Sequence, residues 1–191
     1  LLSSDNHFMG IEMVRFGRNI NEILYRKTLE SKSVLDQFEE ATDLFLQYYT
    51  YEQIEGVHRT RLERIPHLAF REALANAIVH RTWDVKSAIS IFMYEDHLEI
   101  VSPGALPTGL SEQEYLKGQV SILRNPVLAN VFFRLNYIEK LGTGIRRILL
   151  AYEDSYLKPQ FDFQDHFIRV ILPITDQSLH LLTLEEQSLY H

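Results

Sequence analysis

The chain has no cysteine, so disulfides, thiolate-bound zinc and cysteine nucleophiles are excluded. It also lacks a basic excess: 19 Lys and Arg stand against 26 Asp and Glu, for a net charge of −7. A chain of that sign is not by itself a strong nucleic-acid binder, although a small basic patch is compatible with it. No apolar run approaches the ~18 residues that a membrane helix needs, and no signal peptide is visible. A cytoplasmic protein with no membrane partner is the expectation. No internal repeat or low-complexity tract interrupts the 191 residues. What remains is 46% hydrophobic and 24% charged, the balance of a globular domain, and long enough for one sizeable core rather than two. The chain opens at Leu1 with "LLSSDNHFMG", as if in mid-sequence, so a piece of a longer protein is expected.

The local patterns predict alternating element types. "GIEMVRFG" (10–17) alternates weakly, like a strand. "SVLDQFEEATDLFLQYYTYE" (33–52) is an amphipathic helix, with Leu35, Phe38, Ala41, Leu44, Phe45 and Tyr48 on one side. The polar "GVHRTRLERIPH" (56–67) reads as a connection, and Pro66 marks the start of a helix over about 67–81. "SAISIFMYEDHLEIVS" (87–102) is a β-hairpin: Ile89, Ile91 and Met93 alternate with polar and aromatic neighbours, Glu95-Asp96 turns, and Leu98 and Ile100 resume the alternation. A Pro/Gly loop, "SPGALPTG" (102–109), follows. Ser111 with Glu114 forms a capping-box pattern, and Asn125-Pro126 a helix start. "KLGTGIRRILLAYED" (140–154) is a glycine turn running into a helix, and "DHFIRVILPI" (165–174) is a strand. This order predicts an α/β or α+β two-layer sandwich: a mixed, mostly antiparallel sheet with helices on one face. The expected divisions are a lead-in from a preceding domain (1–32), one main domain (33–175), and a linker or the start of another element (176–191).

Three separated segments carry the chemistry. In "REALANAIVHR" (71–81), Glu72, Asn76 and His80 are spaced by four and share a helix face. Such a stripe is ordinarily a solvated face, and His80 ordinarily a satisfied, half-buried imidazole. "VSPGALP" (101–107) is a glycine loop leaving a strand. "GTGI" (142–145) is a glycine pair opening a helix, where free N–H groups and the helix dipole suit an anion. A carboxylate one turn before an amide suits a metal–phosphate site: the carboxylate can orient or deprotonate water, and the amide oxygen can ligate Mg²⁺. Arg146 and Arg147 stand within reach of a phosphate held there, though basic residues on an exposed helix usually just solvate it.

The order of these segments resembles the N, G1 and G2 boxes of the GHKL-type (Bergerat-fold) ATPases, such as gyrase B, the MutL proteins and the histidine kinases. "REALANAIVHR", "DHLEIVSPGALPTGL", "RNPVLANVFF" and "IEKLGTGIRRI", over about 66–150, resemble more closely the RecG-like C-terminal ATPase-related domain. That domain occurs in predicted bacterial transcriptional regulators with an upstream Schlafen/AlbA-type domain. The resemblance implies that Glu72 is the general base and Asn76 the Mg²⁺ ligand. It places Ser102 and Gly104 in the first glycine box, and Gly142, Thr143 and Gly144 in the turn that wraps the phosphates. Residues 107–141 match a mobile lid. ATP and Mg²⁺ are the implied cofactors, with DNA bound through other domains and a homodimer possible. No Walker P-loop or helicase motif is present. Ser102 stands where the ATPases carry an adenine-binding Asp, and Leu106 replaces the box's second glycine; a hydroxyl selects adenine less sharply than a carboxylate. Two readings follow: a nucleotide-binding, ATP-hydrolysing regulatory domain, or a non-catalytic dimerisation module with an eroded site.

Overall fold

A computed structural model describes Leu2 and residues 10–118, 122–138 and 143–175. In chain order the elements are β1 (Ile11–Phe16), β2 (Ile23–Leu29), α1 (Val34–Tyr49), β3 (Thr50–Glu55), β4 (His58–Glu63), α2 (His67–His80), β5 (Ile89–Met93), β6 (His97–Pro103), α3 (Glu112–Lys117), α4 (Pro126–Arg134), α5 (Gly144–Ala151), β7 (Gln160–Phe163) and β8 (Phe167–Pro173). Six strands form one sheet in the order β2-β1-β5-β6-β8-β7. The β1–β5 pair is parallel and the other four are antiparallel. The expected mixed, mostly antiparallel α/β sandwich is what the chain forms. No described helix is long and apolar enough to cross a membrane.

Strand alternation sets the two faces. Met13, Ile91, Ile100 and Val170 lie side by side across four strands, and all four are buried. Each such side chain contributes about 1.5–3 kcal/mol of burial. On the other face the row Glu12, Ser90, Val101, Arg169 and Asp162 stays partly wet, and Arg169 pairs with Asp162 at 2.6 Å. The hairpin expected at 87–102 is β5–β6, with Met93 opposite Leu98 around the Glu95-Asp96 turn.

The helices pack on the apolar face. Ser33 caps α1, its hydroxyl accepting from Asp36 N at 3.1 Å. Val34, Phe38, Ala41, Phe45 and Tyr49 turn inward, so the buried stripe is centred slightly away from the expected one, and Leu35, Leu44 and Tyr48 flank it. The central helix α2 is buried on nearly every side; its Phe70 stacks on Phe45 of α1 with ring centroids 4.0 Å apart. Asn125 caps α4 through Leu128 N at 3.0 Å with Pro126 at its start, and Ser111 with Glu114 completes the capping box of α3.

Four strands depart from the expected order. The polar connection at 56–67 is instead one arm of a β3–β4 ribbon that pairs Tyr51 with Leu62 and Gln53 with Thr60. Most of this ribbon's residues are exposed, so no buried face imposes an alternation and its sequence does not look like a strand. The helix expected through residue 52 therefore stops at Tyr49. Strand β7 is only four residues long. Strand β2 lies at a sheet edge and alternates weakly. The stretch 1–32, expected as a lead-in, supplies β1 and β2 of the main sheet in its described part, with Ile11, Met13 and Leu29 in the core. The expected 176–191 segment lies outside the described residues.

Candidate functional site

Helix α2 runs through the core, so its polar stripe is not a solvated face. Glu72 is 1% exposed. Burying a carboxylate is costly unless it is paired, and here Arg147 Nη1 of α5 donates to Glu72 Oε1 at 2.8 Å. One turn along, Asn76 is half-buried and its amide has no hydrogen-bond partner among the described residues. A second turn along, burial holds His80 below the ordinary imidazole range; a backbone hydrogen bond involving Ile122 opposes this, and the nearby Arg124 charge adds to it.

Helix α5 begins against this stripe. A Cβ built on Gly144 would lie 2.9 Å from Asn76 Nδ2, 3.1 Å from Glu72 Oε2 and 3.2 Å from Asn76 Oδ1. A side chain at 144 would make the ends of Asn76 and Glu72 give way by a few tenths of an ångström for the helix start to approach so closely. Thr143 is the N-cap residue but its side chain makes no cap bond, so the first N–H groups of α5 are without a side-chain acceptor there. Gly142 lies outside the described residues. A cavity of about 170 Å³ adjoins Glu72, Asn76, His80 and Gly144 and extends to Pro107, Tyr115 and Phe133. Burial pushes the Tyr115 hydroxyl up to about 12, against the nearby Arg124 charge.

The first glycine loop meets α2 differently. Gly104 has φ +110°, and a Cβ there would sit 1.9 Å from Thr82 Oγ1. Its N–H donates to His166 O at 2.8 Å, while Thr82 N donates to Pro103 O at 2.9 Å. Gly104 is thus a turn residue beside the end of α2 and does not line the 170 Å³ cavity. Ser102 is 7% exposed and donates to Ala77 O at 2.8 Å. The space beside it is a cavity of about 20 Å³, enough for roughly one water.

Arg124 carries no motif of its own in the sequence, and Arg147 is there one of two arginines near the glycine turn. Arg124 clamps the end of α2 to the glycine loop, donating to His80 O at 2.8 Å and Ala105 O at 2.6 Å. The signal for it was an arginine immediately before the Asn-Pro cap. Arg147 was legible only as one of two basic residues behind the glycine pair; its partner is 75 residues away. Among the described residues no group of three or more His, Asp or Glu side chains is placed to hold a metal.

Residues 86–172 match the family model described as "Putative ATP-dependent DNA helicase recG C-terminal". That span holds both glycine loops but not α2. Among solved structures, the chain is similar to the DIP2311 protein from Corynebacterium diphtheriae, with a TM-score of 0.78 and 26% identity over 90% of this chain and 36% of that one. The chain thus spans little more than a third of that protein's length. No curated protein matches it.

Proposed function

We propose that the chain is the nucleotide-binding, regulatory domain of a larger DNA-binding transcriptional regulator. It takes a magnesium–nucleotide between α2 and the start of α5. The observation that carries this reading is the Asn76 amide: half-buried, without a hydrogen-bond partner among the described residues, and beside the cavity next to Glu72 and Gly144. Asn76 offers its oxygen to the metal, the first N–H groups of α5 hold phosphate oxygens, and Glu72 orients water for hydrolysis. The match of residues 86–172 to an ATPase-related family supports the same class. With a net charge of −7, contact with DNA is assigned to parts of the protein outside these residues.

Thermal melting with ATP, ADP and GTP, each with and without Mg²⁺, tests the reading. A ligand at about 100 times its Kd adds about 2.7 kcal/mol, a rise of about 5–10 °C in Tm for a chain of this size. Asn76→Ala is expected to remove most of the Mg²⁺-dependent rise while leaving the unliganded Tm nearly unchanged, because this amide holds no hydrogen bond that folding needs. An equal rise in wild type and variant would overturn the role given to Asn76.

The second reading, a non-catalytic interaction module, is favoured by Ser102. Its hydroxyl is donated to the backbone of α2, and the space beside it is far too small for a purine. Absence of any shift at millimolar nucleotide, with or without Mg²⁺, would decide for it.

A further inference from the structure

Resting on the nucleotide reading above, we infer that Arg147 is a phosphate-binding residue which the unliganded protein stores on Glu72. It changes partner when a polyphosphate enters. Glu72 is sealed in the core at 1% exposure, whereas the Arg147 side chain is 32% exposed. An anion arriving from solvent therefore meets the guanidinium before the carboxylate. Arg147 also stands one turn into α5, three residues after Gly144, so its guanidinium and the N–H groups of that helix start, which the Thr143 side chain does not cap, serve one anion together.

The stored state also closes the site. Gly144 rests so near Asn76 and Glu72 that even a methyl group has no ordinary room there. A phosphate is larger than a methyl, so entry at this point requires the Asn76 and Glu72 side-chain ends, or the start of α5, to give way. The Arg147–Glu72 bond joins that helix start to α2 at the stripe, beside the core packing of Ile145 and Ile148. Arg147 is the one described hydrogen-bond partner of Glu72. Losing it leaves a buried carboxylate without a counter-charge, an expensive state. Glu72 then takes its counter-charge from the magnesium ion that accompanies the phosphates. The ion pair thus imposes the metal requirement: a metal-free polyphosphate attracts Arg147 but leaves Glu72 stranded.

The test is calorimetric titration of ATP, in EDTA and in Mg²⁺, into the same chain as wild type, Glu72→Gln, Arg147→Gln and the double variant. Hydrogen exchange of α5 is followed alongside. Glu72→Gln removes the stored charge, so metal-free ATP is expected to bind about tenfold tighter than to wild type, with faster exchange at 144–147. Arg147→Gln removes a charge-assisted phosphate contact, and binding in Mg²⁺ is expected to weaken by about 10–100-fold. In the Arg147→Gln background the gain from Glu72→Gln should largely vanish, because the two act as one switch. Additive effects of the two substitutions would reduce the pair to simple charge and overturn the inference, as would unchanged metal-free affinity in Glu72→Gln. The nucleotide reading survives either result provided wild type binds Mg–ATP. If neither wild type nor any variant binds ATP in either buffer, the nucleotide reading fails and takes the inference with it.

Discussion

Two glycine loops press on the same helix for different physical reasons. Gly104 lies at the end of α2 with a backbone conformation, φ +110°, that side chains rarely adopt, and its missing Cβ makes room for Thr82. Gly144 adopts no such conformation; its missing Cβ makes room for the Asn76 amide and the Glu72 carboxylate. The first glycine is required by the chain's path, the second by two polar side chains next to a cavity. A glycine-rich motif in a sequence therefore carries two kinds of information, and the neighbour across the gap tells them apart: a threonine and a turn in one case, an unpaired amide and a buried acid in the other.

The largest break in that comparison is Gly104→Ala. It combines a disfavoured φ with a 1.9 Å approach to Thr82 Oγ1, and is expected to cost about 2–3 kcal/mol, or about 5–10 °C in Tm. Adding Thr82→Ala should recover part of that loss by removing the nearest atom, while the strain in φ remains. Whatever fraction stays folded should bind nucleotide as wild type does.

Gly144→Ala should show the opposite profile. The atoms its Cβ meets, at 2.9–3.2 Å, are the ends of side chains that can give by a few tenths of an ångström. The expected stability loss is about 1 kcal/mol or less, and the added methyl favours a helix start over glycine. Nucleotide affinity should fall about tenfold or more, since the methyl occupies the approach to Asn76. A Tm loss equal to that of Gly104→Ala, with affinity unchanged, would erase the distinction between the two loops.

His80 joins the two regions and gives the smallest effect. Its carbonyl accepts from Arg124 on the Gly104 side, while its ring lines the cavity on the Gly144 side. Burial lowers its pKa in the folded state, so the unfolded chain binds the proton more readily. Stability from the neutral ring is therefore full above the ordinary imidazole value of about 6.5 and declines as pH falls through it. The Tm lost between about pH 7.5 and about pH 5.5 should be smaller in His80→Gln than in wild type. Some acid sensitivity should persist in that variant, because burial lowers His67 as well. An identical acid loss in both proteins would place His80 outside the protonation balance.

Much of this molecule could be read from short stretches, because the responsible physics is local. Asn125 and Pro126 start α4 through a side chain bonded three residues away. Ser111 and Glu114 satisfy each other across one turn. The β5–β6 hairpin follows from an alternation that a half-buried sheet requires. The four-residue spacing of Glu72, Asn76 and His80 put them on one face of α2 before any packing was known. The sequence by itself determined these elements, the sandwich class and the candidate stripe.

Tertiary structure decided the rest. The β3–β4 ribbon has mostly exposed residues and so carries no periodic signature; only its pairing defines it. Whether the stripe met water or the core depended on α1, α5 and the sheet closing around α2, which drives Glu72 to 1% exposure. That burial is what demands a cation, and the cation is an arginine 75 residues further on, a separation over which no sequence spacing rule operates. The difference between the two glycines was decided in the same way, since a glycine is silent about what its missing side chain lets in.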